Sequence, residues 1–496
     1  MIILPAQVTE AIGVLENEGY EAYVVGSCVR ELLIGNTPQD FDIVTNAEIN
    51  DILFAFRDYR ISDEGIQRGE ILVTVVGMII SVSPFRREVV GNRVMYADKL
   101  ETDLARRGFT MDAMAYSTKE GLIDLYGGKG CLTGDEKRVV AIGENITRNT
   151  KENGKPVTET YYDMSFSFTN EPSRILRAIR YCAEREFVID EATRAAMRQN
   201  VSCFEYADTK KVFSELQRIV MGKYATKVLI EYADILMHVI PEIEACVGFE
   251  QHTHFHDFTV WEHIARSVGY AVPVPAIRFA MFFHDIGKPD CCYIDSKGQG
   301  HFKGHGERSR LLAEGIMRRM EFDRRLADEI SWLVYHHDVK IPEDRKALKE
   351  LIRRLGAEDL KSLLQCEIAD NRAKKQDTET PDVARLRNSL AALNEIITTG
   401  ECYDISQLAV TKRELLERRL VTTEKEADEL INVLFEIVLD KPSFNTKLML
   451  FDMAQRSKQK AAELAAAREA ALREKQQALK DRTKEPVFSK RKKRKL

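Results

Sequence analysis

The chain has 496 residues, 44% of them hydrophobic and 30% charged, with a formal net charge of −5. That length can bury several hydrophobic cores and suggests three or four domains. No run approaches the roughly 18 consecutive apolar residues of a membrane span and no signal-peptide pattern opens the chain, so a cytoplasmic protein with no membrane partner is expected. Nine cysteines, an odd number without C-x-x-C spacing, argue against a disulfide framework and against a cysteine zinc site.

In chain order, Gln7–Glu18 places Val8, Ile12 and Leu15 at helical spacing, and Glu21–Val25 is a β-rich run. Gly26-Ser27 supplies a tight turn, and Val29–Ile34 reads as a short helix stopped by Gly35. Asp40-Phe41-Asp42-Ile43-Val44 then alternates acid and apolar residues, and a strand of period two puts both carboxylates on one face. Two adjacent carboxylates repel unless cations lie between them. A pair of divalent metals, in phosphoryl or nucleotidyl transfer, is the chemistry that uses such a face. Backbone amides of the small-residue turn and the guanidinium of Arg30 are the partners a triphosphate beside the metals would need.

Glu70–Ser83 reads as a hairpin of two buried strands. Arg106 and Arg107 follow as guanidinium groups suited to phosphate. The three glycines of Gly127-Gly128-Lys129-Gly130 suggest a flexible joint, and residues 146–169 read as a polar surface loop. Residues 170–181 open a helical region in which Glu171 and Arg174 stand three apart, offering one acceptor and one fork donor on one helical face.

These stretches resemble the class II tRNA nucleotidyltransferases and their poly(A) polymerase relatives. That family carries G-G-x-V-R-D-x-L-L-G and D-x-D-I-V-T where this chain has G-S-C-V-R-E-L-L-I-G and D-F-D-I-V-T. It carries L-x-R-R-D-F-T-I-N-A-M-A where this chain has L-A-R-R-G-F-T-M-D-A-M-A, and E-D-x-x-R-x-L-R-A where this chain has N-E-P-S-R-I-L-R-A. The resemblance implies an α+β head, polymerase-β-like, whose mixed sheet carries helices and is followed by all-α neck, HD and tail domains. It implies Asp40 and Asp42 as catalytic residues and Mg²⁺ ligands, with Gly26, Ser27, Arg30, Arg106, Arg107, Asp112, Glu171, Arg174 and Arg177 around the nucleotide. Glu171 and Arg174 take the places that read the base edge. The chain departs from the family at Ser27, Glu31, Gly108, Asp112, Asn170 and Glu171, and at Ser81, where a third acid is usual, leaving Glu88 as an alternative helper.

All ten histidines lie between His238 and His337. The order His263, His284-Asp285, His305, His336-His337, Asp370 resembles that of an HD metal-dependent phosphohydrolase domain. His and Asp suit divalent transition metals or Mg²⁺, which activate water against phosphate esters. His263, His284, Asp285 and Asp370 would hold one metal, and His305 with His336 or His337 a second; His337 is the preferred ligand. His252, His254, His256 and His301 stay unassigned, and Lys288 is a candidate phosphate contact.

The expected organisation is a nucleotidyltransferase head (1–145), a polar loop insertion (146–169), a helical neck (170–245), an HD domain (246–380), a helical tRNA-binding tail (381–455), and a charged helix with a basic end (456–496). The expected function is CCA addition to the tRNA 3′ end from CTP and ATP, with an HD phosphohydrolase activity. The alternatives are poly(A) or partial addition, or a tRNA-binding phosphohydrolase with a degenerate head.

Overall fold

Ala22–Val25 (β1) is a run of four fully buried residues, and it sits inside a seven-stranded mixed sheet. The other strands are Phe41–Thr45 (β2), Arg60–Ser62 (β3), Ile71–Val75 (β4), Met78–Pro84 (β5), Met114–Ser117 (β6) and Gly121–Asp124 (β7). Their spatial order is β3-β4-β5-β2-β1-β6-β7. β1 is antiparallel to both β2 and β6, while β2 runs parallel to β5 and pairs Asp42 with Ser81. Tyr23, Val25, Val44, Phe85, Leu100, Leu104, Ala113, Ala115 and Ile142 form one core against the sheet. Helix α1 (Ala6–Asn17) buries Val8, Ala11, Ile12 and Leu15, the stripe its periodicity predicts.

In this computed structural model residues 2–482 are described, apart from 63, 67–68, 91–92 and 153–154. The chain packs as two units, one of Met1–Asp338 with Gln365–Thr380, the other of Val339–Leu364 with the chain from Pro381 onward. Residues 339–364, placed by sequence in the 246–380 domain, therefore pack elsewhere. Residues 146–169 are also not a loop. Glu144–Glu152 and Lys155–Asp163 pair antiparallel over nine registers, and a short helix, Ser165–Asn170, follows.

Beyond the sheet and several two-stranded ribbons, the first unit is mainly helical. Ser27–Leu33 (α2) follows the Gly26 turn, and Leu100–Ala105 (α3), Ser173–Arg185 (α4) and Thr209–Met221 (α5) surround the head cavity described below. Val260–Tyr270 (α6), Pro275–Phe283 (α7), His305–Arg319 (α8), Arg324–His336 (α9) and Ala357–Ala373 (α10) carry the histidine and aspartate residues. Pro275 opens α7, where its missing N–H leaves no helical bond unmade. Phe279, Phe282 and Phe283 are fully buried, and Phe279 meets Phe322 edge-on at 4.9 Å, so the end of α7 that delivers His284 rests on a rigid aromatic base.

In the second unit, Glu424–Asp440 (α11) buries Ile431, Leu434, Phe435, Val438 and Leu439. Lys349 is completely buried there, its Nζ donating to the Leu439 carbonyl at 2.9 Å and pairing with Glu401 at 2.8 Å. Lys447–Arg482 (α12) packs through Leu450 and Ala454, and residues 455–477 are exposed throughout. The basic run at 490–495 lies outside the described residues. Among the described residues no helix is long and apolar enough to cross a membrane.

Candidate active site and a histidine metal centre

A cavity of about 970 Å³ opens above the turn between β1 and α2. Gly26, Ser27, Asp40, Asp42, Arg106, Arg107, Asp112, Arg174 and Arg177 are among the residues that line it. The acids come from the start of β2, where strand alternation puts Asp40 and Asp42 on one face. Asp40 is exposed and Asp42 half-buried. Burial pushes the Asp42 carboxyl above its ordinary value; Arg107 and Arg86 oppose this, and Glu70 and Asp40 add to it. A hard cation relieves that repulsion, and paired carboxylates are the donors Mg²⁺ takes, so these residues fit the ion. Among the described residues, groups of three or more ligands within 4.8 Å lie only in the histidine centre, so the head acids form an open pair.

The arginines are positioned by an acid that the sequence reading missed. Asp103 is fully buried and receives Arg106 Nε at 3.1 Å, Arg107 Nε and Nη2 at 3.0 and 2.7 Å, and the Arg86 amide at 3.0 Å. Its spacing of three and four residues from the arginines was the available signal. Arg107 crosses the turn so closely that a Cβ at Gly26, where φ is +78°, would sit 2.8 Å from its Nη1. Gly26 is thus required by a guanidinium as well as by the turn.

Arg30 lines the cavity, but its guanidinium is occupied by Asp112, by Glu31 at 3.2 Å and by the Tyr181 hydroxyl at 3.2 Å. Asp112, standing where the family has Asn, neutralises Arg30 and accepts from Tyr181 at 2.7 Å. Both residues line the cavity while paired to one another, so they brace its wall. Glu171, expected at the base edge, points elsewhere in this structure. Its carboxylate turns to Lys211 at 2.5 Å and Ser173 at 2.9 Å, and it does not line the cavity. Arg174 does line it, yet donates to the Arg106 carbonyl at 2.5 Å and the Ser167 carbonyl at 3.0 Å. It crosses directly over Gly108, where a Cβ would lie 2.7 Å from Arg174 Nε, so glycine at 108 and this arginine path require one another. Arg177 lines the cavity while paired to Glu215 at 2.7 Å.

Ser81, where a third acid was expected, lies 3.4 Å through its Oγ from Glu70 Oε2. The β4–β5 register, which pairs Leu72 with Ser81, brings that carboxylate there. The Glu88 side chain lies outside the described residues.

The second cluster is built on the ends of helices. His263 projects from α6, whose start is fixed by a capping box between Thr259 and Glu262. His263 Nε2 lies 3.1 Å from His284 Nε2, 2.9 Å from Asp370 Oδ1 and 3.3 Å from Asp285 Oδ2. His305 and His337 face each other through Nε2 at 3.0 Å, and lie 3.4 and 3.7 Å from Asp285 Oδ1. Two groups of ligands result, with Asp285 common to both. The Nδ1 atoms of His284, His305 and His337 pair with the carbonyls of Met281, Phe302 and Val334 at 2.7–2.8 Å, which turns the Nε2 lone pairs inward. Facing lone pairs repel unless a proton or a cation stands between them.

Both Asp285 oxygens are buried without a hydrogen-bond partner among the described residues, although Lys288 Nζ lies 2.6 Å from Oδ2. That donor set fits divalent metals. Despite burial, the Asp285 and Asp370 carboxyls are held well below the usual range, Asp285 by His284 and Lys288 and Asp370 by Lys374 and His263. The structure also decides between the adjacent histidines. His337 joins the second group, whereas the His336 ring stacks on Trp332 at 4.4 Å. His301 pairs with Asp295 at the surface, and His254 lies against Phe255.

Residues 22–137 match the poly A polymerase head domain. That match spans the Gly26 turn, both strand acids and the arginine pair. The chain is similar to the CCA-adding enzyme of Leuconostoc citreum, 30% identical over 235 residues that cover 46% of this chain and 53% of that protein. It is similar to the CCA-adding enzyme of a Geobacillus species at 28% over 229 residues, 44% of this chain and 51% of that one. The chain spans about half the length of the curated relatives it matches. Among solved structures, the Bacillus stearothermophilus CCA-adding enzyme in complex with CTP aligns with a TM-score of 0.63 at 19% identity, covering 93% of this chain and all of that one. The Thermotoga maritima CCA-adding enzyme complexed with tRNA aligns with a TM-score of 0.54 at 18% identity, covering 92% and 96%. At such identities the likeness is one of fold: a mixed-sheet head followed by helices.

Proposed function

We propose that the chain is a tRNA nucleotidyltransferase that adds CCA to the tRNA 3′ end from CTP and ATP. The observation that carries this is the head cavity, lined by the paired acids and by several arginines. CTP and tRNA, bound by the structural relatives, are the partners expected here, with ATP, and a cytoplasmic location follows from a tRNA substrate. Asp40 and Asp42 would hold Mg²⁺, which supplies charge neutralisation as the tRNA 3′-hydroxyl displaces pyrophosphate from the α-phosphate. Gly26 and Ser27, at the turn that lines the cavity, would lie along the phosphates, and Arg106 and Arg107, fixed by Asp103, would offer guanidinium groups to them. Arg174 and Arg177, which line the cavity, would be the donors to the base edge. The tail would hold the acceptor arm by shape and phosphate contacts.

The position of Glu171 favours a second reading, addition of only C or only A, because an expected base-reading acceptor faces away. One assay separates the two. Purified protein is incubated with tRNA lacking CCA and each labelled nucleotide; two C and one A support the leading reading, and partial products or long A tracts overturn it. Asp40→Ala abolishes extension if the acids act as described.

The histidine centre supports a metal-dependent phosphohydrolase, with divalent ions held by His263, His284, Asp285 and Asp370 and by Asp285, His305 and His337. His284→Ala is expected to abolish metal-dependent phosphatase activity and to spare nucleotide addition. Loss of both activities would contradict separate sites.

A further inference from the structure

His256 belongs to neither metal group, yet it lies against the first. Its ring meets the His263 ring edge-on at 5.1 Å. Its Nδ1 lies 3.0 Å from Thr253 Oγ1, and its Nε2 is buried without a partner among the described residues. Native structures retain few such buried nitrogens, and those they retain commonly serve a ligand. In the tautomer in which the Thr253 hydroxyl donates to Nδ1, the ring proton sits on Nε2 and makes that atom a donor.

Beside it is Lys288, itself buried, with Nζ 2.8 Å from Gln251 Oε1 and 2.6 Å from Asp285 Oδ2. Lys374 Nζ lies 2.7 Å from Asp370 Oδ2. The two carboxylates of the ligand set are thus already opposed by two ammonium groups. Divalent ions added to that set leave the centre strongly positive, and the ligand that balances it is a multiply charged oxyanion. His263 and His284 are fully buried while His256 keeps partial exposure.

We propose that His256 Nε2 and Lys288 Nζ form an oxyanion subsite that receives the terminal phosphate of a phosphomonoester dianion at the histidine centre. The subsite rests on the phosphohydrolase reading of that centre and names its substrate class. His256 is a binding residue, donating one hydrogen bond to a non-bridging oxygen, and Lys288 supplies the second donor and a charge.

The test uses the full-length chain loaded with Mn²⁺ and titrated with inorganic phosphate by calorimetry, with bound metal counted in parallel. His256→Phe is expected to keep the metal content and to weaken phosphate binding by at least about tenfold, the scale of one hydrogen bond to a charged group. His256→Gln, which retains an N–H donor, recovers part of that loss, and Lys288→Met weakens phosphate independently. Hydrolysis of p-nitrophenyl phosphate in preference to its bis-ester is expected of the wild type. The subsite is overturned if His256→Phe and Lys288→Met bind phosphate as the wild type does, if His256→Phe sheds its metal, or if the bis-ester is preferred. A wild-type chain that takes up no divalent metal would overturn the phosphohydrolase reading itself, and the subsite with it.

Discussion

Asp103→Asn tests the arrangement of the phosphate-facing arginines. Asp103 has no exposed surface and holds both guanidinium groups through one carboxylate. Burial alone would raise its pKa, but Arg107 and Arg106 overcome that and hold it at about 2, against an ordinary 3.8. That difference corresponds to about 2.5 kcal/mol of stabilisation of the charged form. Breaking a buried pair by removing one partner costs roughly 3–5 kcal/mol, and the amide keeps one acceptor oxygen, so a loss of about 2–4 kcal/mol follows. Because the folded pKa is depressed, the contribution is fully present above the unfolded value near 4. It is lost as pH falls through about 2. The measurement pairs a thermal melt at pH 7 with the KM for CTP in tRNA extension. The variant should melt lower and show a raised KM, and the wild-type advantage over it should shrink between pH 4 and pH 2. An unchanged KM with an unchanged melt would refute the role given to Asp103.

Gly108→Ala places a Cβ 2.7 Å from Arg174 Nε at a φ of +88°. The strain is about 1–2 kcal/mol, and the displaced arginine should alter the ratio of C to A incorporation, which competitive labelling reads directly. Glu171→Ala should leave that ratio unchanged, because its carboxylate is committed to Lys211. The accompanying stability change is expected to stay under about 1 kcal/mol, measurable by melting, and a switch in nucleotide choice would show that Glu171 turns inward.

Much of the head was legible because its signals are local. The β-rich run before Gly26, the alternation at Asp40–Val44 and the hairpin after Glu70 each follow from a few adjacent residues, and each is observed as a strand element. The histidine centre was legible through the order of its residues, and the preference for His337 over His336 agrees with the ligand group observed. What was missed depends on partners distant in sequence. Arg30 was read as free for phosphate because Asp112 and Tyr181, which occupy it, lie 82 and 151 residues away. The hairpin at 144–163 was misread from its polarity, although the dipeptide Asn153-Gly154 between β-prone runs is a turn signal. Residues 339–364 join the second unit through packing that no local pattern records.

Helix α12 is one continuous backbone under two kinds of control. Up to Ala454 its order is coupled to the core that holds Leu434 and Phe435, so that part melts only when the core does. Over residues 455–477 every side chain is exposed, and order there depends on intrinsic helix propensity and neighbouring charge pairs such as Arg473 with Glu469. Amide hydrogen exchange would therefore divide the helix near Ala454, slow on one side and close to the rate of an isolated peptide helix on the other.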